Sequence, residues 1–83
     1  MMAYKVYVLR SQRTEKFYIG HSERFDERLR EHNSGESKST KSGIPWELVY
    51  QKEFQTRSEA MRQELQIKKR GIERFLRGVA QPG

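Results

Sequence analysis

With 83 residues, no cysteine and only 34% hydrophobic residues, the chain has room for one thin-cored domain, and neither a disulfide framework nor a thiolate metal site is available to staple it. Its 17 basic residues outnumber 11 acidic ones, the net charge is +6, and the basic residues are spread through every segment, so a polyanion and first of all nucleic acid is the expected partner class. No apolar run approaches the roughly 18 residues of a bilayer span, and MMAYKVYVLR lacks the apolar stretch of a secretory signal, which makes the cytoplasm the expected address and excludes a membrane partner.

In residues 4–9, Tyr4, Val6 and Val8 share one parity among β-branched and aromatic neighbours, which predicts a strand. SQRTEK supplies a turn, and residues 17–20 alternate again. A hairpin symmetrical about Gln12 and Arg13 sets Tyr7 opposite Tyr18 on the face of Leu9 and Gly20, with Tyr4, Val6, Val8, Phe17 and Ile19 on the other face. Ile19 then points into the core, Tyr18 stands beside Tyr7, and Gly20 keeps space open above them.

SERFDERLREHNSG predicts a helix, with Ser22 as N-cap, Asp26 and Glu27 in the first turns, and Asn33 and Gly35 at the end. Its inward stripe is Phe25, Arg28, Leu29 and His32, half of it polar. Residues 33–46, NSGESKSTKSGIPW, form a polar loop whose length makes it either functional or mobile, and function is the favoured reading. WELVYQKEF reads as a third strand. Residues 56–59 are a T-x-x-E capping box that opens a helix over 57–70. Gly71 ends it, and IERFLRGV is a short third helix before a polar tail. The predicted order is β-β-α-β-α-α, an α/β (α+β) domain over 1–83 with its ordered core at about 4–78.

Several groups stand where packing alone would not put them. On the second helix Ile67, Ala60, Glu64, Lys68, Met61 and Leu65 span one arc in that angular order, with Glu64 near its middle. An unpaired carboxylate there would cost several kcal/mol. Lys68, four residues on, is one compensating partner; a divalent cation that takes one protein carboxylate and keeps several waters is the other. Arg28 either pairs with Glu31 and reaches outward or grips a phosphate through two parallel hydrogen bonds. His32 lies one turn later on the same side. Periodicity does not separate packing tyrosines from reactive ones.

Tyr7, the YIG at 18–20, Arg28, His32 and Glu64 resemble, in order and spacing, the GIY-YIG nuclease family. VYVLRS, FYIGHS, RLREHNSG, KSTKSGIPWELVY and SEAMRQELQIKK resemble the pattern of its small single-domain bacterial branch over nearly the whole chain. The resemblance implies a three-stranded antiparallel sheet flanked by helices, and phosphodiester hydrolysis with one divalent ion, Mg²⁺ or Mn²⁺. By position Tyr7 matches the GIY tyrosine, Tyr18 and Gly20 match YIG, Arg28 the helix arginine, His32 the histidine after it, and Glu64 the metal-binding glutamate. The GIY triplet itself appears as Lys5, Val6 and Tyr7, without its glycine.

The implied mechanism has Glu64 hold the ion and Arg28 grip a non-bridging oxygen. Tyr7 or Tyr18 orients or deprotonates the attacking water, and His32 relays the proton or holds a tyrosine hydroxyl. Gly20, which leaves room for the nucleotide chain, joins Lys38, Thr40, Lys41 and Lys68 as the expected DNA-binding set. The expected activity is an endonuclease on DNA, with RNA left open, that has little sequence specificity or reads structure, because no length remains for a sequence-reading domain. The alternatives are a non-catalytic nucleic-acid-binding module on the same scaffold and an interaction protein in which Glu64 and Lys68 form a structural pair. A protein partner or a homodimer fits each of them.

Overall fold

The alternation of the first twenty residues folds as a hairpin in the computed structural model, which describes residues 3–79. β1 (Tyr4–Ser11) is the centre of a three-stranded antiparallel sheet, with β2 (Phe17–Ser22) on one edge and β3 (Trp46–Phe54) on the other. Among the described residues three α-helices accompany it, α1 (Phe25–Ser34), α2 (Arg57–Arg70) and α3 (Ile72–Val79), in the order β-β-α-β-α-α, with a short 3-10 turn at Lys41–Gly43. The polar tail expected at 80–83 lies outside the described residues. No helix among those described is long and apolar enough to cross a membrane.

Both faces of β1 are covered, so Val6, Tyr7, Val8 and Leu9 are buried in succession and its alternation is one of faces and not of exposure. Val6, Val8 and Ile19 pack beneath Ala60 and Ile67 of α2, with Phe75 and Leu76 of α3 alongside. On the opposite face Tyr7 and Leu9 pack with Phe25 and Leu29 of α1 and with Trp46.

The hairpin register departs from the symmetrical expectation. Tyr7 pairs with Gly20 and Tyr18 with Leu9, a slip of two residues that leaves every side chain on its expected face. The cause is the buried Ser11. Its hydroxyl accepts the backbone N–H groups of Arg13 and Thr14 at 3.1 and 2.9 Å and donates to the Gly43 carbonyl at 2.7 Å, while Glu15 takes a left-handed conformation with φ 64°. This recentres the turn one residue later.

Two helix expectations are corrected as well. α1 starts at Phe25, because Ser22 ends β2 and its hydroxyl accepts the Arg24 N–H at 2.9 Å instead of capping the helix. Gly35 does close it, in the left-handed conformation. The capping box of α2 forms as expected between Thr56 and Glu59, but the buried stripe of α2 is narrower than its apolar arc. Ala60 and Ile67 are fully buried, whereas Met61 and Leu65 are 46% and 58% exposed. A small sheet offers α2 only a strip around Val6, Val8 and Ile19 to sit on, so Glu64 lies at the margin of the contact and not in its middle.

The loop before β3 is pinned, not loose. Trp46 Nε1–H donates to the Thr40 carbonyl at 2.7 Å, and the Asn33 side chain brackets the Trp46 backbone N–H and carbonyl at 2.6 and 3.1 Å. Gly43 lies under the Trp46 ring, and a Cβ there would stand inside contact distance of three ring carbons. Gly43→Ala is therefore expected to lower stability by about 1–3 kcal/mol through overpacking. Urea unfolding followed by Trp46 fluorescence checks this; an unchanged midpoint would mean that the loop yields freely.

Candidate active site

α1 and α2 cover opposite faces of the sheet, and both contact β2. There a cleft of about 340 Å³ is lined by Tyr7, Tyr18 and Gly20 from the hairpin, His21 from the end of β2, Arg28 from α1, and Glu64 and Lys68 from α2. Four of the five side chains expected to be catalytic thus reach one wall. His32, the fifth, is buried behind the tyrosines.

Tyr7 is only 2% exposed and shows the cleft little more than an edge. Its ring packs edge-on against Phe25 at 5.3 Å, and its hydroxyl lies 3.3 Å from His32 Nε2. His32 Nδ1 is 2.8 Å from the Thr40 hydroxyl, which has the Ser37 carbonyl as a longer acceptor at 3.5 Å. A Thr40 hydroxyl that donates to Ser37 accepts from Nδ1–H, which assigns Nε2 as the acceptor for the Tyr7 hydroxyl. Burial first, and then the neighbouring Tyr18, pushes Tyr7 up to about 12, against the pull of Arg28. Burial, and after it the Arg28 charge, pushes His32 below the usual imidazole value, so a neutral ring is favoured.

Tyr18 is the more open phenol. Its ring lies 4.8 Å from His32 and 6.4 Å from Tyr7, and its hydroxyl makes no side-chain hydrogen bond among the described residues. Gly20 is explained by its cross-strand partner. A Cβ on it would meet the Tyr7 hydroxyl oxygen at 3.0 Å and Cζ at 3.2 Å, so the space above this glycine is taken up by the Tyr7 ring before any nucleotide arrives.

Glu64 is held from two sides. Oε1 lies 2.7 Å from His21 Nδ1, and Oε2 accepts from Lys68 Nζ at 2.9 Å. Burial raises the carboxyl, but the His21 and Lys68 hydrogen bonds and the Lys68 charge outweigh it and hold Glu64 below the usual carboxylate range. The expected Lys68 partner is therefore present. His21, from a different element, is a second partner that the sequence reading, with Lys68 or a divalent cation as the compensating group, does not contain. The signal for it was parity: one residue beyond Gly20, His21 shares the α2 face with Ile19. Arg28 pairs loosely with Glu31 at 3.5 Å, and its side chain is 57% exposed.

The loop residues divide. Thr40 is 1% exposed, and its hydroxyl is turned to His32, so it anchors the imidazole and is no surface contact for phosphate. Lys38 and Lys41 are exposed and stand outside the cleft lining, whereas Lys68 lies at its mouth.

Comparison with known proteins adds to this geometry. The sequence profile of the GIY-YIG catalytic domain matches residues 3–73. A UPF0213 protein of Staphylococcus haemolyticus is 38% identical over 69 residues, 82% of this chain and 83% of that one. A UPF0213 protein of Oceanobacillus iheyensis is 39% identical over 64 residues, 76% of this chain and 73% of that one. An archaeal one from Natronomonas pharaonis is 41% identical over the same length, covering 76% and 74%. Among solved structures, the solution NMR structure of a UPF0213 protein from Bacillus halodurans superposes with a TM-score of 0.59 at 30% identity, over 95% of this chain and 84% of that one.

Proposed function

The chain belongs to the GIY-YIG family, and from that premise we propose that it is a divalent-metal-dependent endonuclease that hydrolyses phosphodiester bonds in DNA with little sequence preference. The family's catalytic domain is a nuclease-type fold and implies nucleic acid as substrate. One observation carries the finer reading: an ionised carboxylate, an exposed guanidinium and a phenol hydrogen-bonded to a buried imidazole converge on the same cleft.

Glu64 is the residue that would hold the ion. Its carboxylate is ionised, and a hydrogen bond to each oxygen leaves lone pairs for a cation. Among the described residues no cluster of three or more His, Cys, Asp or Glu side chains is arranged to hold a metal. A single carboxylate is a donor for a hard ion such as Mg²⁺ or Mn²⁺, which would complete its shell with water and phosphate oxygens. When bound, the ion would neutralise charge on the phosphate and the leaving oxygen.

The protein's own groups do the rest. Arg28, held only by a loose contact to Glu31, is placed to grip a non-bridging oxygen. The attacking water forms the new bond to phosphorus as the bond to the leaving oxygen breaks. Its proton passes to the Tyr7 oxygen while the Tyr7 proton passes to His32 Nε2, so no phenolate accumulates and the raised Tyr7 value is no obstacle. The leaving oxygen takes a proton from solvent. Tyr18, with the more open hydroxyl, orients the water or the phosphate.

A second reading, a nucleic-acid-binding module without cleavage, is favoured by the completeness of the Glu64 pairing with His21 and Lys68. Incubation with supercoiled DNA under Mg²⁺, Mn²⁺ or chelator separates the two. Nicking is expected with either ion and not with chelator, and Arg28→Ala is expected to slow it about a hundredfold. Binding without cleavage in every condition would leave the second reading standing.

A further inference from the structure

Beyond Lys68 lies a second groove of about 870 Å³, between the hairpin turn and the corner where α2 meets α3. Lys68 lines both. The groove is bordered by Lys16, Arg70, Arg74 and Arg77, and its floor includes Phe17 and Ile72. The two carboxylates on its rim are already answered, Glu15 by Arg10 at 2.8 Å and Glu73 by Arg77 at 3.9 Å. On the other side of the cleft, around the start of α1, the charges are balanced: Glu23, Asp26, Glu27 and Glu31 stand against Lys5, Arg24, Arg28 and Arg57. The catalytic scheme uses none of Lys16, Arg70, Arg74 and Arg77.

The geometry points to this groove as the track for a single-stranded stretch of nucleic acid leaving the cleft toward α3. The inference rests on the reading of the cleft as a nucleic-acid site. A polyanion passing through it meets a cationic wall at one end and a surface of balanced charge at the other, which gives the strand a direction. The composition gives it a form. An aromatic ring and an isoleucine between cationic rims suit unpaired bases and sugars on the floor with phosphates at the sides, whereas a duplex keeps its bases stacked inside and presents mainly phosphates. The substrate this selects is a duplex with a single-stranded extension, a structural feature that needs no sequence-reading domain.

The test is a binding measurement in chelator, so that it does not depend on cleavage. Fluorescent blunt duplex and the same duplex carrying a single-stranded extension, on either strand, are titrated with the full chain, with Arg70→Ala/Arg74→Ala, and with Arg62→Ala/Lys69→Ala as a control of equal charge outside the groove. The wild-type protein is expected to bind one of the extended substrates about tenfold more tightly than the blunt duplex, with a salt dependence steeper by about one to two counterions. The groove variant is expected to lose that difference, and the control to keep it. Arg74→Glu, a single exposed change, gives the same readout should the double variant fold poorly. Equal wild-type affinity for blunt and extended duplex overturns the track, and so does a loss in the groove variant that is the same for both substrates or matched by the control. A protein that shows the groove-dependent preference but no cleavage with Mg²⁺ would keep the track and lose the nuclease; one that cleaves without the preference would do the reverse.

Discussion

Glu64→Gln is expected to reduce metal-dependent cleavage by about a thousandfold or more while the protein stays folded and still binds DNA in chelator. The substitution is nearly isosteric, and the hydrogen bonds around it are reassignable. The amide oxygen accepts from Lys68, and the amide NH₂ donates to His21 Nδ1 in the tautomer that leaves this nitrogen bare. What disappears is the negative charge, and with it the hard oxygen ligand. Affinity for DNA in chelator is expected to stay level or rise, because Lys68 is freed from its carboxylate and a negative charge leaves the cleft. Cleavage within threefold of wild type would remove Glu64 from the chemistry and make its pairing with His21 and Lys68 purely structural. Circular dichroism and the urea midpoint guard against a trivial loss through unfolding.

The outline of this site was legible because its parts obey local rules. Parity along two short strands put Tyr7 and Tyr18 on one face and Ile19 on the other, and a slip of two residues in the hairpin could not disturb that. The Thr56 to Glu59 capping box and Gly35 fixed helix ends through interactions made within a few residues. What remained hidden depends on contacts across long sequence separations. The role of Ser11 in the turn needs the Gly43 carbonyl, the burial of Thr40 needs His32 and Trp46, and the His21 partner of Glu64 comes from a different element. Exposure of Met61 and Leu65 likewise follows from how little sheet α2 has to cover. The basic groove is formed by the hairpin turn and the α2–α3 corner, segments whose charges look like ordinary solvated ones when read in order.

The Tyr7 and His32 pair makes a sharper demand, which Tyr7→Phe and a pH profile test together. Tyr7→Phe is expected to lower kcat about a hundredfold to a thousandfold, with DNA affinity in chelator nearly unchanged. It also leaves His32 Nε2 without its partner, at a cost of about 1–3 kcal/mol. The profile distinguishes a relay from a phenolate base. If His32 receives the proton, the rate follows its neutral fraction: it falls in acid, rises through a value below the usual imidazole one, and is flat from about pH 7 to 9. If Tyr7 acted as a free base, its value of about 12 would make the logarithm of the rate climb by about one per pH unit across the same interval. Stability does not blur the comparison, since a His32 value lowered by folding contributes stability that is present above the unfolded imidazole value and lost only as pH falls through the folded one. A slope near one in the wild-type protein would exclude the relay and make Tyr7 itself the base; full activity in Tyr7→Phe would remove Tyr7 from the chemistry and leave Tyr18, with the more open hydroxyl, as the phenol that faces the water.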